Sequence, residues 1–70
     1  MNERRISYNS LWKLLVDKDM SQAEFRKMTD ISFNTMTKLK NREKVSMEIL
    51  LRICDCLDCD IGDICSYIRP

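Results

Sequence analysis

Histidine is absent from this 70-residue chain, and glycine and proline occur once each. Without histidine, the chain lacks the side chain that most often serves as a general base or metal ligand near neutral pH. With a single glycine, it cannot build a glycine-rich loop that cradles phosphate groups. A chain of this length also has little room to enclose a catalytic pocket. These absences argue against an enzyme and predict no cofactor.

Long apolar runs are also missing. No stretch of 18 or more apolar residues occurs, and the segment MNERRISYNS lacks the apolar part of a secretory signal. We therefore expect a cytoplasmic protein with no membrane partner, in which the four cysteines stay reduced. Their spacing disfavours a metal site, because Cys54 and Cys56 lie about 200° apart on a helix. Packing as small hydrophobic residues is the favoured interpretation, and a thiol-based or metal-based sensor is the alternative.

The composition that is present favours helices. Hydrophobic residues make up 44% of the chain and charged residues 33%, which predicts an all-α fold with one domain over residues 1–70. The net charge of +1 is unevenly distributed: residues 1–44 carry ten Lys/Arg against six Asp/Glu, and residues 45–70 carry two against five. The N-terminal part is therefore the part expected to face an anionic partner.

Residues 21–41 have the pattern of two short capped helices joined by a tight turn. Ser21 and Glu24 have the spacing of a capping box, which predicts the start of the first helix. Asp30 favours a turn because its side chain competes with helical hydrogen bonding. Ser32 then provides a second N-cap. The segment is predicted to be a helix-turn-helix.

The second of these helices, residues 32–41, is amphipathic. Met36 and Leu39 share one face, and residues that form hydrogen bonds occupy the opposite face at about 100° per residue. Such a helix fits the major groove of double-stranded DNA with its N-terminal residues at the base edges. The predicted base contacts are Phe33 to a thymine methyl group, Asn34 to adenine, Thr37 to several bases and Lys38 to guanine. Alternatively, Phe33 covers an apolar edge between the helices.

Donors for DNA phosphates are predicted on both sides of this helix. Gln22 lies at a helix N-terminus, where backbone amides and the helix dipole favour an anion. The segment KNREKV, residues 40–45, is a loop rich in positive charge. The predicted phosphate contacts are Gln22, Ser32, Lys40, Asn41, Arg42 and Lys44. Arg26 and Lys27, on the first helix, are assigned to neither role.

Further helices are predicted on both sides of residues 21–41. Residues 7–17 form the first, with an apolar stripe at Tyr8, Leu11, Trp12 and Leu15. In the next helix, Phe25 and Met28 are expected to point inward. Residues 46–68 are expected to form two C-terminal helices, capped by Ser46 and Asp60.

The C-terminal helices supply apolar residues for the core and for a partner. The fourth helix is expected to be the most buried, through Met47, Leu50, Leu51, Ile53, Cys54 and Leu57. The last has Ile61, Ile64, Cys65 and Ile68 available for burial. Where Ile61, Ile64, Tyr67 and Ile68 leave an apolar strip uncovered, that strip is the predicted dimer interface.

These motifs resemble the lambda-repressor/Cro-like family of bacterial and phage regulators, the Xre-type helix-turn-helix domain. The resemblance covers about residues 6–68 and rests on the segments SQAEF, DIS, TMTKLKN and VSMEILLRICDCLDCDIGDI. Two positions depart from the usual pattern of the family. Arg26 stands where alanine is usual, and Asp30 stands where the turn usually has glycine.

The resemblance implies a compact five-helix domain that represses or activates transcription by binding an operator, commonly as a homodimer. It supports base contacts at Phe33, Asn34, Thr37 and Lys38, and phosphate contacts at Gln22 and Asn41. The alternative is an interaction module on the same fold, an antitoxin-like or adaptor protein that binds another protein.

Overall fold

The computed structural model describes residues 5–69, which form four α-helices and a small two-stranded sheet. The elements, in chain order, are β1 (Ile6–Ser7), α1 (Asn9–Asp17), α2 (Gln22–Thr29), α3 (Phe33–Lys40), α4 (Met47–Leu57), a 3-10 helix (Ile61–Asp63) and β2 (Ser66–Tyr67). The helical class predicted from composition is confirmed. Within the described range, no helix has the length and apolar character needed to cross a lipid bilayer.

Serine side chains begin three of the four helices. Ser21, Ser32 and Ser46 have extended backbone, and each Oγ accepts a hydrogen bond from the backbone N–H three residues later. This bond satisfies one of the amide donors that the first turn of a helix leaves unpaired. The predicted starts of α2, α3 and α4 are therefore confirmed. α1 has no side-chain cap and begins at Asn9, two residues later than predicted, because Ser7 belongs to β1.

The helices end on left-handed residues that are not glycine. Asp19, Asp30, Arg42 and Asp58 have φ values of 56°, 55°, 59° and 51°. After three of them, the next backbone N–H donates to a carbonyl five residues back: Met20 to Leu15, Glu43 to Lys38 and Cys59 to Cys54. This is the Schellman arrangement, which satisfies carbonyls at a helix C-terminus. Aspartate tolerates the left-handed region better than most residues, so three of the four positions suit their conformation.

One hydrophobic core joins all four helices to the C-terminal residues. Its buried members are Tyr8, Leu11, Leu15, Phe25, Ile31, Met36, Leu39, Leu50, Ile53, Leu57 and Ile64. The predicted stripe of α1 is confirmed at Tyr8, Leu11 and Leu15, with Trp12 half-buried against the core. Since every helix is amphipathic, burial of these stripes against one another holds the domain together.

Three side chains predicted to be buried lie on the surface. Met28 is 49% exposed, and Met47 and Leu51 are 59% and 52% exposed. On α2 the inward position is Thr29, whose Oγ1 donates to the carbonyl of Phe25 at 2.8 Å, so its burial leaves no unpaired hydroxyl. On α4, Leu51 is about 100° from the inward Leu50. The apolar residues of α2 and α4 therefore span a wider arc of each helix than the part that packs against the core.

The predicted fifth helix is wrong. Residues 61–63 form a single 3-10 turn, capped by Asp60 as predicted, and Ser66–Tyr67 then form a strand. β2 pairs antiparallel with β1, with Ile6 opposite Tyr67, and the Ile68 N–H donates to the Arg5 carbonyl at 2.8 Å. Gly62 weakens helix formation here, and pairing with the distant β1 satisfies the backbone instead.

Candidate nucleic-acid interface

The N-terminus of α2 is tightly capped and open to solvent. The Ser21 Oγ accepts from the Glu24 N–H at 3.1 Å, and the Glu24 Oε1 accepts from the Ser21 N–H at 3.0 Å. The hydrogen bond from the Ser21 amide lowers the pKa of Glu24. Gln22, at the first helical position, is exposed. The structure therefore places Gln22 beside unpaired amide groups of a helix N-terminus, where an anion is favoured.

The turn between α2 and α3 is held from within and from α4. Asp30 takes the left-handed conformation, and Ile31 is buried at 3% exposure. From α4, Arg52 donates to the Asp30 carbonyl at 3.4 Å, and the Cys56 Sγ donates to the Met28 carbonyl at 3.4 Å. These contacts attach the turn to α4, and Asp30 adopts the left-handed conformation in place of the usual glycine.

α3 presents opposite chemistry on its two faces. Met36 and Leu39 are buried, as predicted. The four residues predicted to contact bases all point into solvent: Phe33, Asn34, Thr37 and Lys38. All four are exposed residues, and the ring of Phe33 is 72% exposed. The outward face of α3 is therefore accessible to a groove-shaped partner.

Three hydroxyl groups, of the N-cap and of α3, already make hydrogen bonds within the helix. The Ser32 Oγ accepts from the Thr35 N–H at 3.1 Å and lies 3.1 Å from the Thr35 Oγ1. The Thr37 hydroxyl donates to the Phe33 carbonyl at 3.0 Å. Thr37 consequently offers lone pairs and a methyl group outward, whereas its proton points back to the helix. Ser32 serves first as a helix cap.

The basic loop predicted at residues 40–45 begins on the last residue of α3, Lys40, and is attached to the N-terminal part of the chain. Lys40, Asn41, Arg42 and Lys44 are all exposed. The Tyr8 hydroxyl donates to the Glu43 carbonyl at 2.8 Å, and the Arg42 Nε donates to the Ile6 carbonyl at 3.2 Å. Burial raises the pKa of Tyr8 above its usual 10.0, so the hydroxyl stays a donor at neutral pH. The basic loop is thus held beside the C-terminal end of α3.

Arg26 was assigned no role from the sequence, and the structure gives it one. Its Cζ lies 4.0 Å from the centroid of the Phe33 ring, which joins α2 to the first residue of α3. A guanidinium over an aromatic face is an attractive cation–π contact. The signal in the sequence was the departure from alanine at position 26. The Phe33 ring thus contacts α2 through this cation and is otherwise largely exposed.

The cysteines lie around the end of α4. All four are free thiols and half-buried. Burial raises the pKa of Cys59 from 9.0 to about 11 and also raises the pKa of Cys54 and of Cys65. In the part of the chain that the structure describes, no three Cys, Asp or Glu side chains are close enough to hold a metal ion. Their partial burial suits packing.

Of the four residues predicted for a dimer interface, one is inaccessible on the monomer surface. Ile64 is fully buried at 0% exposure, so it cannot contribute to a strip on the monomer surface. Ile61 and Ile68 are half-buried, and Tyr67 in β2 is 66% exposed. Three of the four residues therefore remain accessible in part.

Comparison with known proteins identifies the family. Residues 9–70 match the model of the Cro/C1-type HTH DNA-binding domain. The chain therefore belongs to the family of Cro/C1-type helix-turn-helix DNA-binding domains, and the resemblance read from its motifs is confirmed. A crystal structure of the transcriptional regulator VanUg, form II, is similar with a TM-score of 0.91 and 47% identity. That match covers 94% of this chain and 88% of the VanUg chain, and no curated protein matches this chain.

Proposed function

We propose that this protein is a sequence-specific transcriptional regulator that binds double-stranded DNA with α3 in the major groove. The observation that carries the proposal is the exposed outward face of α3, set between the capped N-terminus of α2 and the basic loop. The likeness to VanUg, a transcriptional regulator, supports the regulatory role. The Cro/C1-type domain supports DNA as the partner.

Base recognition is assigned to the outward residues of α3. Asn34 has the donor and acceptor pair that adenine N7 and N6 require, and Lys38 donates to guanine O6 and N7. Thr37 contributes an acceptor and a methyl group, since its proton is bonded to Phe33. The exposed ring of Phe33 meets a thymine methyl group.

Phosphate contacts are assigned to the two sides of the groove. Gln22 and Ser32 lie at helix N-termini, and the basic loop supplies the other side with Lys40, Asn41, Arg42 and Lys44. Residues 21–45 carry six Lys/Arg against three Asp/Glu, whereas residues 46–69 carry two against five. This distribution directs the positive side of the domain toward DNA.

The regulator is proposed to act as a homodimer through Ile61, Tyr67 and Ile68, with Ile64 supporting them from the core. Two copies would read half-sites about 34 Å, or about 10 base pairs, apart. Selection of duplexes from a random pool tests class and symmetry together. A preferred sequence with two-fold symmetry is the expected result.

An interaction module remains the second candidate function. Met47 and Leu51 lie one turn apart on α4 and are 59% and 52% exposed, which leaves an apolar area for another protein. Binding of random DNA at low salt separates the two functions. The absence of binding at low salt would favour the interaction module.

A further inference from the structure

The contact between Arg26 and Phe33 leaves the hydrogen-bonding groups of Arg26 without a function in the fold. It lies in the last turn of α2 and is half-buried, and its guanidinium lies over the Phe33 ring at 4.0 Å. Among residues 5–69, its side chain makes no hydrogen bond and no ion pair. A cation that only fastened two helices together would gain more from a carboxylate partner. The five N–H donors of Arg26 are therefore available to something outside the monomer.

Stacking leaves those donors well placed. A cation–π contact is made by the charge of the guanidinium and uses none of its N–H donors in a conventional hydrogen bond. The stack also restricts a long side chain that would otherwise be flexible, so less conformational freedom is lost on binding. Arg26 is consequently a preorganised fork beside the first residue of α3.

The spacing of the stack matches that of DNA. The Cζ of Arg26 lies 4.0 Å from the centroid of the Phe33 ring, which is close to the rise of about 3.4 Å between successive base pairs. Two neighbouring groups with this separation can reach the edges of two adjacent base pairs. An exposed ring suits the methyl group of thymine, and a two-donor fork suits O6 and N7 of guanine.

We propose that Arg26 is a base-reading residue, and that Arg26 and Phe33 together recognise a thymine next to a guanine. Phe33 contacts the thymine methyl group, and Arg26 donates two hydrogen bonds to the adjacent guanine. This inference rests on the proposed placement of α3 in the major groove. A base is favoured over a phosphate because Arg26 lies against Phe33, and the first residues of a recognition helix face base edges. The part of α2 that is expected to approach phosphate is its N-terminus, near Gln22.

The test uses the full chain and the duplex chosen by selection from a random pool. Each thymine is replaced in turn by deoxyuracil, which lacks only the methyl group, and each guanine by 7-deazaguanine, which lacks N7. Affinities are measured for the wild type, Arg26→Ala, Arg26→Lys and Phe33→Leu. Lys27→Ala is the matched control, because Lys27 is the exposed cation next to Arg26 on the same helix. Circular dichroism melting confirms that each variant is folded.

One guanine is expected to respond in a way that depends on Arg26, and one neighbouring thymine in a way that depends on Phe33. At that guanine, 7-deazaguanine should weaken wild-type binding by about fivefold or more and leave Arg26→Ala unaffected. Deoxyuracil at the adjacent thymine should weaken the wild type and leave Phe33→Leu unaffected. Arg26→Lys keeps the charge but loses the fork, so it should resemble Arg26→Ala in base preference.

Three results would overturn the inference. Arg26→Ala could lower affinity equally on all duplexes and reduce the salt dependence, which would make Arg26 a phosphate contact. It could behave like Lys27→Ala in every measurement. It could also lower the melting temperature without changing base preference, which would leave only a contact between helices. If the wild type itself selects no sequence, the proposed function fails; if it selects one without a guanine that depends on Arg26, only this inference fails.

Discussion

The helix-turn-helix, residues 21–41, and the C-terminal segment, residues 58–69, differ in what holds them. In the first, each element begins or ends on a bond between residues three or four apart, such as Ser21 with Glu24. In the second, β2 exists only by pairing with β1 at the other end of the chain. Local bonds can be read from spacing, whereas a two-residue strand has no local signature.

The two regions nevertheless share one core. Leu39 of α3 and Ile64 of the C-terminal segment are both 0% exposed. A 70-residue domain has only a few kcal/mol of net stability from such a core. Truncation of either side chain should therefore lower the free energy of unfolding of the whole domain, although one lies in a helix and the other in the C-terminal segment. The predictions below test this comparison.

The largest effect is expected from Ile64→Ala. Removing a fully buried isoleucine should destabilise the fold by about 2–5 kcal/mol, the same range as Leu39→Ala. Chemical denaturation of both variants measures the free energy of unfolding. Val16→Ala is the control, since Val16 is 77% exposed and should change stability by less than about 0.5 kcal/mol. A value for Ile64→Ala close to that control would show that the C-terminal segment folds apart from the helix-turn-helix.

Direct contacts with DNA are expected from the helix-turn-helix and the basic loop that follows it, and not from the C-terminal segment. Lys38→Ala should weaken binding by about 1–3 kcal/mol and relax preference at one base position. Lys44→Ala should weaken all duplexes alike and reduce the salt slope by about 1, as expected for a phosphate contact. Lys44 is a cleaner choice than Arg42, which also bonds to the Ile6 carbonyl.

Arg69→Ala supplies the matched control for these two variants. It removes an exposed cation from the C-terminal segment, and we expect no change in affinity or salt slope. Titrations on selected and scrambled duplexes at several salt concentrations separate the three outcomes. Equal losses from all three changes would refute the assignment of DNA contacts to the helix-turn-helix and the basic loop.

The attachment of the basic loop is tested by Tyr8→Phe. The change removes the hydroxyl that donates to the Glu43 carbonyl at 2.8 Å and keeps the buried ring. The expected loss of stability is about 1 kcal/mol, because a typical hydrogen bond contributes that much. DNA affinity should fall as well, since the loop becomes less ordered. Unchanged stability and affinity would show that the bond does not hold the loop.

A smaller effect, a gain in stability, is expected when glycine replaces a left-handed aspartate in each of the two regions. Asp30 and Asp58 both take the left-handed conformation, which costs glycine nothing. Asp30→Gly and Asp58→Gly should each raise the free energy of unfolding by about 0.5 kcal/mol, whereas the corresponding alanine variants should lower it. Thermal melting measures all four. A loss with glycine at either site would mean that the aspartate side chain contributes more than its backbone preference.

The smallest effect at neutral pH concerns Cys59. Because its pKa rises from 9.0 to about 11 on folding, the folded state favours the neutral thiol. Its contribution to stability is full below pH 9 and is lost as the pH rises to about 11. Denaturation between pH 8 and pH 11 should show a decline that is shallower in Cys59→Ala. Identical pH profiles for the two proteins would contradict the burial of this thiol.

Sequence reasoning succeeded where a few neighbouring residues decide the structure. The caps at Ser21, Ser32 and Ser46 and the inward face of α3 followed from spacing alone. It failed for Met28, since periodicity locates a face but not the part of that face that a neighbouring helix covers. It also missed Arg26, because a contact between two helices depends on the angle at which they cross.

From its amino acids alone, this protein's helical class, its capped helices and its family were determined, because hydrogen-bonding side chains and apolar periodicity act over three or four residues. The tertiary structure decided that Ser66–Tyr67 form a strand, that Ile64 lies inside and that Arg26 contacts the ring of Phe33. Those outcomes depend on how separate elements pack against one another, which spacing within one element does not encode.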